Sequence, residues 1–303
     1  MTHYQLVSQN QIRSWLVVSG FMGFVGLAAW VMTVGFGFGP DMIGWALVGG
    51  GLGSILSYYF SDQIILGISG AREAKRSEFF DFYTVTENLA ASARLPQPKL
   101  YVIDDTAMNA FATGRDAQHA VVCATTGLVT RLNRAELEGV IAHELSHIRN
   151  SDMLLMSLVS VLVGMLALLS DWLLRWSAWG GGRRRDRDNE GGQLQLIFFV
   201  AGLALALLSP LVAQLIQLAI SRNREFLADA SSAALTKNPQ GLIRALEKIS
   251  VDPEPLEAAN KATAHLYIAN PLKNRSDAVG WFAGLFATHP PVSERIKALK
   301  ALV

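Results

Sequence analysis

The side chains with the clearest capacity for chemistry are His143, Glu144 and His147, in the run Val140-Ile-Ala-His143-Glu144-Leu-Ser-His147-Ile148. Residues four apart on a helix share a face, so His143 and His147 point the same way and can bind one ion. Imidazole nitrogen is a good zinc ligand, and a glutamate between two such histidines is placed to serve as general base in a metal-assisted hydrolysis. So short a pattern also arises by chance, which makes its surroundings decisive. Asn133-Arg-Ala-Glu136 is a capping box that starts a helix just ahead of it. Leu137, Val140, Ile141, Ile148 and Met153 recur at helical spacing and give that helix a face to bury.

A catalytic zinc ion needs three protein ligands and one open position. A carboxylate is a usual third ligand, and Glu225 in Arg222-Asn-Arg-Glu225-Phe-Leu-Ala-Asp229 is the candidate. Asp229 lies one turn further along the same face, where it could accept the far N–H of a ligand histidine. Alternatively, Glu225 and Asp229 form a solvated helix face paired with Arg222 or Arg224. Spacing alone leaves both readings open.

The elements that must position these residues belong to an apolar chain. Of 303 residues 51% are hydrophobic and only 17% charged, against about 25% charged in ordinary soluble domains; mean hydropathy is +0.29. A formal net charge of +1 and the lack of a basic face argue against nucleic acid as a partner. The single cysteine, Cys123, excludes an internal disulfide and a cysteine-rich metal site, and reads as a small apolar strand residue. Four stretches carry no charge: 14–40, 42–61, 153–170 and 191–221. A bilayer core needs about 20 apolar residues of helix, so the first, second and fourth are long enough and the third is marginal.

The chain then divides into an N-terminal membrane hairpin (1–70), a first catalytic part with sheet and zinc helix (71–152), a second hairpin (153–221) and a second catalytic part with the third ligand and C-terminal helices (222–303). Arg72, Lys75 and Arg76 follow the second span while the turn at 40–41 has no Lys or Arg, which puts the N-terminus and residues 71–152 in the cytoplasm. The loop at 171–193 opposes that rule with Arg175, Arg183, Arg184, Arg185 and Arg187. Either a crossing hairpin overrides its arginines or the hairpin dips in without crossing; the length of 191–221 favours crossing. Residues 77–94 are predicted to form an amphipathic helix with Phe79, Phe80, Tyr83 and Leu89 inward. Strands are predicted at Lys99–Ile103, Met108–Thr113 and Ala120–Ala124, and helices at 240–250, 256–268 and 293–302.

Four blocks, His143-Glu-Leu-Ser-His147-Ile-Arg-Asn-Ser-Asp152, Arg222-Asn-Arg-Glu225-Phe-Leu-Ala-Asp229, Asn109-Ala-Phe-Ala-Thr-Gly114 and Thr288-His289-Pro-Pro291, resemble the signature blocks of the HtpX family. That family comprises bacterial membrane-embedded zinc endopeptidases related to the eukaryotic CAAX prenyl proteases. The resemblance covers nearly the whole chain, four spans included, although the N-terminal hairpin carries little pattern and the loop at 171–193 is peculiar to this sequence. It implies a mainly α fold with a small β-sheet, a four-span helical membrane protein carrying a zincin-like (gluzincin) catalytic domain. It further implies one zinc ion per chain held by His143, His147 and Glu225, with Glu144 as general base. The site would face the cytoplasm at the bacterial inner membrane and clear misfolded or damaged membrane proteins in a stress response.

Stabilising the tetrahedral oxyanion needs a further donor. The family places His289 close to the site, which makes it the first candidate and Arg222 the second; otherwise His289 is a turn histidine held by two prolines. Asn109 falls on the strand that resembles the family's substrate-binding edge, where a peptide would add as an extra strand, unless it only caps a turn. The partners expected are membrane-protein substrates and the lipid bilayer, with self-cleavage or an oligomer left open, and no nucleic acid. A proteolytically silent zinc-binding scaffold would not need Glu144, and a transporter would carry ionisable residues inside its spans.

Overall fold

The computed structural model describes residues 41–158, 222–259, 263–269, 271 and 290–302, with scattered positions from 12 to 30 and at 161 and 200. His289, the loop at 171–193 and most of the first, third and fourth apolar stretches lie outside the described residues. The second stretch lies in helix α1 (Asp41–Ile68), which is interrupted at Phe60 by non-helical φ/ψ of −121° and 15°. Among the described residues no helix is long and apolar enough to cross a membrane.

Four strands form one mixed sheet in the order β1-β2-β4-β3: β1 (Arg72–Glu73), β2 (Lys99–Ile103), β3 (Ala110–Thr113) and β4 (Val121–Thr125). β2 and β4 run parallel with Lys99 opposite Val121, and β3 pairs antiparallel to β4 with Ala110 opposite Ala124. Alternate residues of β4 point into two different apolar cores, Val122 and Ala124 into one, Val121 and Cys123 into the other. A strand buried on both faces reads as a continuous apolar run, and this one does. β1 escaped the sequence reading because two residues carry no periodicity. β3 starts later than expected because the Met108 and Asn109 N–H groups donate to side chains, the Asp252 carboxylate (2.8 Å) and Thr125 Oγ1 (3.0 Å).

Helix α2 (Phe80–Ala93) buries Phe82, Val85, Thr86, Leu89 and Ala90, the i, i+3, i+4 pattern of one face. Phe79 is buried ahead of the helix, whereas Phe80 is 62% exposed, contrary to expectation. With the helix beginning at Phe80, that residue lies two positions, about 200°, from Phe82. After β4 come the short α3 (Thr126–Arg131) and α4 (Arg134–Arg149), the helix of the histidine motif. The capping box of α4 is formed: Glu136 N donates to Asn133 Oδ1 (3.0 Å) and Asn133 N to Glu136 Oε2 (2.9 Å). Ser151, at φ 56°, then breaks the helix, so Met153 is buried but belongs to the next helical stretch, 152–158, and not to α4.

The remaining helices are α5 (Arg222–Thr236), α6 (Pro239–Val251) and α7 (Val292–Lys300). The helix expected at 256–268 is absent among the described residues there: Leu256–Ala259 is a turn, and only Ala264–Leu266 makes one 3-10 turn. Its opening N–H groups are engaged elsewhere, Leu256 with Pro271 O (3.3 Å) and Glu257 with the Asp105 carboxylate (2.9 Å). α4 is fixed where α6 crosses it at two glycines. A Cβ on Gly139 would lie 2.5 Å from Leu242 N, and one on Gly241 would strike Ala135 O. Ser232 Oγ of α5 adds a hydrogen bond to Gly139 O at 2.7 Å.

Candidate metal centre

With α4 clamped between α5 and α6, three side chains converge. His143 and His147 come from α4 and Glu225 from the first turn of α5, and their donor atoms all lie within 4.8 Å of one another. The two Nε2 atoms are 3.2 Å apart; His143 Nε2 is 3.7 Å from Glu225 Oε2 and His147 Nε2 is 3.5 Å from Glu225 Oε1. Bonds of about 2.0–2.1 Å to a tetrahedral ion put ligand atoms about 3.3–3.4 Å apart, so the triangle has the size zinc requires. Glu225 and Asp229 are 0% and 1% exposed, which rules out the solvated-face alternative.

Each histidine is supported from behind by a carboxylate. His143 Nδ1 donates to Asp229 Oδ1 at 2.9 Å and His147 Nδ1 to Asp152 Oδ2 at 3.2 Å. Both Nδ1 protons being committed, the facing Nε2 atoms would confront each other with lone pairs at 3.2 Å unless a cation lay between them. Without metal that cation is a proton on His147. Burial pushes His147 down, but the Asp152 hydrogen bond and the Glu225 charge override it and raise its pKa to about 9. Burial and the Arg295 charge hold His143 down to about 4. The donor set therefore fits a single metal ion.

Each carboxylate is in turn paired with an arginine. Arg295 of α7 is fully buried and holds Asp229 bidentately, Nε to Oδ2 at 2.9 Å and NH2 to Oδ1 at 2.7 Å. Burial would raise the Asp229 pKa, yet the charge and hydrogen bonds of Arg295 bring it down to about 2. Arg295 NH1 also donates to Ile268 O at 2.8 Å. Arg224 of α5 stands 3.2 Å from Asp152 Oδ1. Sequence reasoning gave none of Arg295, Arg224 and Asp152 a role beside the metal. A signal for Arg295 existed: Val292, Arg295, Ile296 and Leu299 share a helical stripe in which it alone is charged.

Among the other anticipated residues, Glu144 is 2% exposed on α4, and its charge adds to burial in pushing up the Cys123 thiol of β4. Arg222 is exposed at the start of α5. Asn109 is 4% exposed and engaged with backbone: Nδ2 donates to Ala269 O (3.1 Å), and Oδ1 accepts from Ala110 N (3.1 Å) and Ala269 N (3.4 Å). Ile268 N donates to Ala110 O at 2.9 Å, so residues 268–269 cover the first part of the β3 edge.

The model of Peptidase family M48 matches residues 77–303. A protein named Protease HtpX homolog from Thermoanaerobacter pseudethanolicus is 41% identical over 303 residues, spanning 99% of this chain and 98% of the relative. Another of that name from Ligilactobacillus salivarius is 40% identical over 300 residues, spanning 98% of this chain and 99% of its own length. Among solved structures, S. mikatae Ste24p aligns over 98% of this chain and 67% of its own, with 20% identity and a TM-score of 0.49.

Proposed function

The chain belongs to peptidase family M48 and is a metalloprotease; from that premise we propose that it is a membrane-integrated zinc endopeptidase that hydrolyses misfolded or damaged membrane proteins at the cytoplasmic face of a bacterial inner membrane. The observation that carries the catalytic part is the convergence of His143, His147 and Glu225 with Glu144 on the same helix. Zinc held by those three side chains would lower the pKa of a bound water and polarise the scissile carbonyl. Glu144 takes the proton of the attacking water and returns it to the leaving amine. Asp229 and Asp152 keep each Nδ1 protonated, so that Nε2 is the nitrogen offered to the metal. His289 is the proposed oxyanion donor, with exposed Arg222 behind it. The peptide adds along the β3 edge beyond Ala110, while Asn109 shapes that edge by holding residues 268–269.

The membrane part rests on four spans, and α1 supports it. Trp45, Leu52, Ile55, Leu56 and Tyr59 are more than half exposed, whereas Ser54, Ser57 and Ser61 are buried. Apolar outside and hydroxyl inside reverses the water-soluble arrangement and suits lipid. The meeting of Asp152 with Arg224 supports a hairpin, since residues 153–221 then leave and return at one place.

The test is cleavage of an unstructured membrane-protein reporter by the purified full chain in detergent with zinc, beside its Glu144→Gln form. Fragments from the first and none from the second are expected, with equal zinc bound to both. Equal fragments from both would remove Glu144 as base and overturn the mechanism.

A further inference from the structure

The ion pair Asp152–Arg224 does two things at once. It joins the residue just before the apolar 153–221 segment to a residue just after it. Its carboxylate also receives His147, so one oxygen faces Arg224 at 3.2 Å and the other His147 at 3.2 Å. Side-chain exposure is 11% for Arg224, 3% for Asp152 and 6% for His147. The pair is sheltered from solvent screening, and its contact at Arg224 NH1 is an electrostatic one.

We propose that Arg224 is a positioning residue for His147, acting through Asp152, so that the pairing of these two residues sets how firmly the chain holds its metal. The inference rests on the zinc-protease reading of the same site. Loss of Arg224 removes the charge that faces the second Asp152 oxygen, and so weakens the hold of that carboxylate on the orientation of the His147 imidazole. Arg295–Asp229–His143 is the corresponding chain on the other histidine, anchored in α7, and serves as the internal comparison, with the difference that Arg295 also stands 3.4 Å from His143 Nδ1 and 3.8 Å from Glu225 Oε2.

The measurement is zinc affinity of the full chain in detergent by chelator competition, with no substrate present. Arg224→Ala and Asp152→Asn should each weaken zinc about 10–100-fold, the usual cost of removing support behind a ligand histidine. The double variant should be no weaker than Asp152→Asn alone, because Arg224 acts through that carboxylate. Arg224→Lys should recover most of the loss. Arg134→Ala, which removes a surface pair with Asp81, is the control and should match the parent. The cobalt-loaded parent and Arg224→Ala should also differ in visible ligand-field absorption, which reports ligand orientation even for a variant of reduced yield. Additive losses, or an unchanged affinity and spectrum in Arg224→Ala, would overturn the inference while leaving a zinc-binding, reporter-cleaving parent intact. A parent that binds no zinc would instead overturn the underlying reading.

Discussion

His143 and His147 lie one turn apart on the same helix, and each is backed by an aspartate that is paired with an arginine, yet the two supports are anchored in different regions. The His143 support runs through Asp229 to Arg295 on the C-terminal helix and on to Ile268 O, next to the β3 edge. The His147 support runs through Asp152 to Arg224, at the two ends of the apolar 153–221 segment. Arg295 is 0% exposed and bidentate; Arg224 keeps 11% exposure and stands 3.2 Å from Asp152 Oδ1. One ligand thus answers to the packing of the catalytic core and the other to the base of the apolar segment. The candidate third ligand, Glu225, stands between them, 3.7 Å from His143 Nε2 and 3.5 Å from His147 Nε2.

The largest effect should come from removing what both supports serve. Glu225→Ala should lose zinc to a chelator more completely than any single change behind a histidine, with Glu225→Asp weakened less. If Glu225→Ala retained parental affinity, the two supports would not converge on one ion. Next in size is the inequality between the arginines. Arg295→Met leaves the Asp229 carboxylate buried without its partner and should cost about 3–5 kcal/mol of stability. Arg224→Met, at a partly accessible pair, should cost on the order of 1–2 kcal/mol. Thermal or denaturant unfolding of the metal-free protein checks the order; equal losses would erase the difference in anchoring.

The pH dependence of metal binding sharpens the same contrast. In the metal-free site His147 is raised to about 9 and His143 lowered to about 4. Zinc must therefore displace a proton from His147 at neutral pH, and none from His143. Proton release on binding makes the affinity climb by about tenfold per pH unit toward pH 9 and level off above it. Asp152→Asn removes the charge that raises His147, so its plateau should begin at lower pH. An affinity flat from about pH 6 to 9 in the parent would contradict the assignment of the shared proton to His147.

The helix, its cap and the paired histidines were legible because each is local or periodic: a capping box, and two histidines at i and i+4; Glu225 rested on the family resemblance, its spacing from Asp229 having left a solvated face equally open. Cys123 read as a small apolar strand residue, and it is buried in β4 (Val121–Thr125), one residue on from the strand expected at 120–124. The arginines were not legible. Arg224 sits in the charged sequence Arg222-Asn-Arg-Glu225, where several residues could face solvent. Arg295 is separated from His143 by 152 positions, and an arginine in a short helix that also carries Lys297 and Lys300 resembles an exposed one. Asn109 lies just ahead of β3 and not on it, and a side chain that closes on backbone 160 residues away leaves no trace in local pattern.

The smallest effect tests how far the His143 support extends. Asn109 holds Ala269 O, Ile268 N holds the β3 edge, and Ile268 O takes Arg295 NH1, so one short segment ties the edge strand to the arginine. Asn109→Ala removes three side-chain hydrogen bonds to buried backbone and should lower stability by about 1–3 kcal/mol. It should weaken zinc only slightly, less than Asp229→Asn, because Arg295 keeps both bonds to Asp229. KM for a peptide substrate should change more than kcat, since the edge is reshaped while Glu144 is untouched. Were zinc affinity to fall as far as in Asp229→Asn, the support would run through the segment itself, and substrate binding at the edge and metal binding at His143 would be one coupled event.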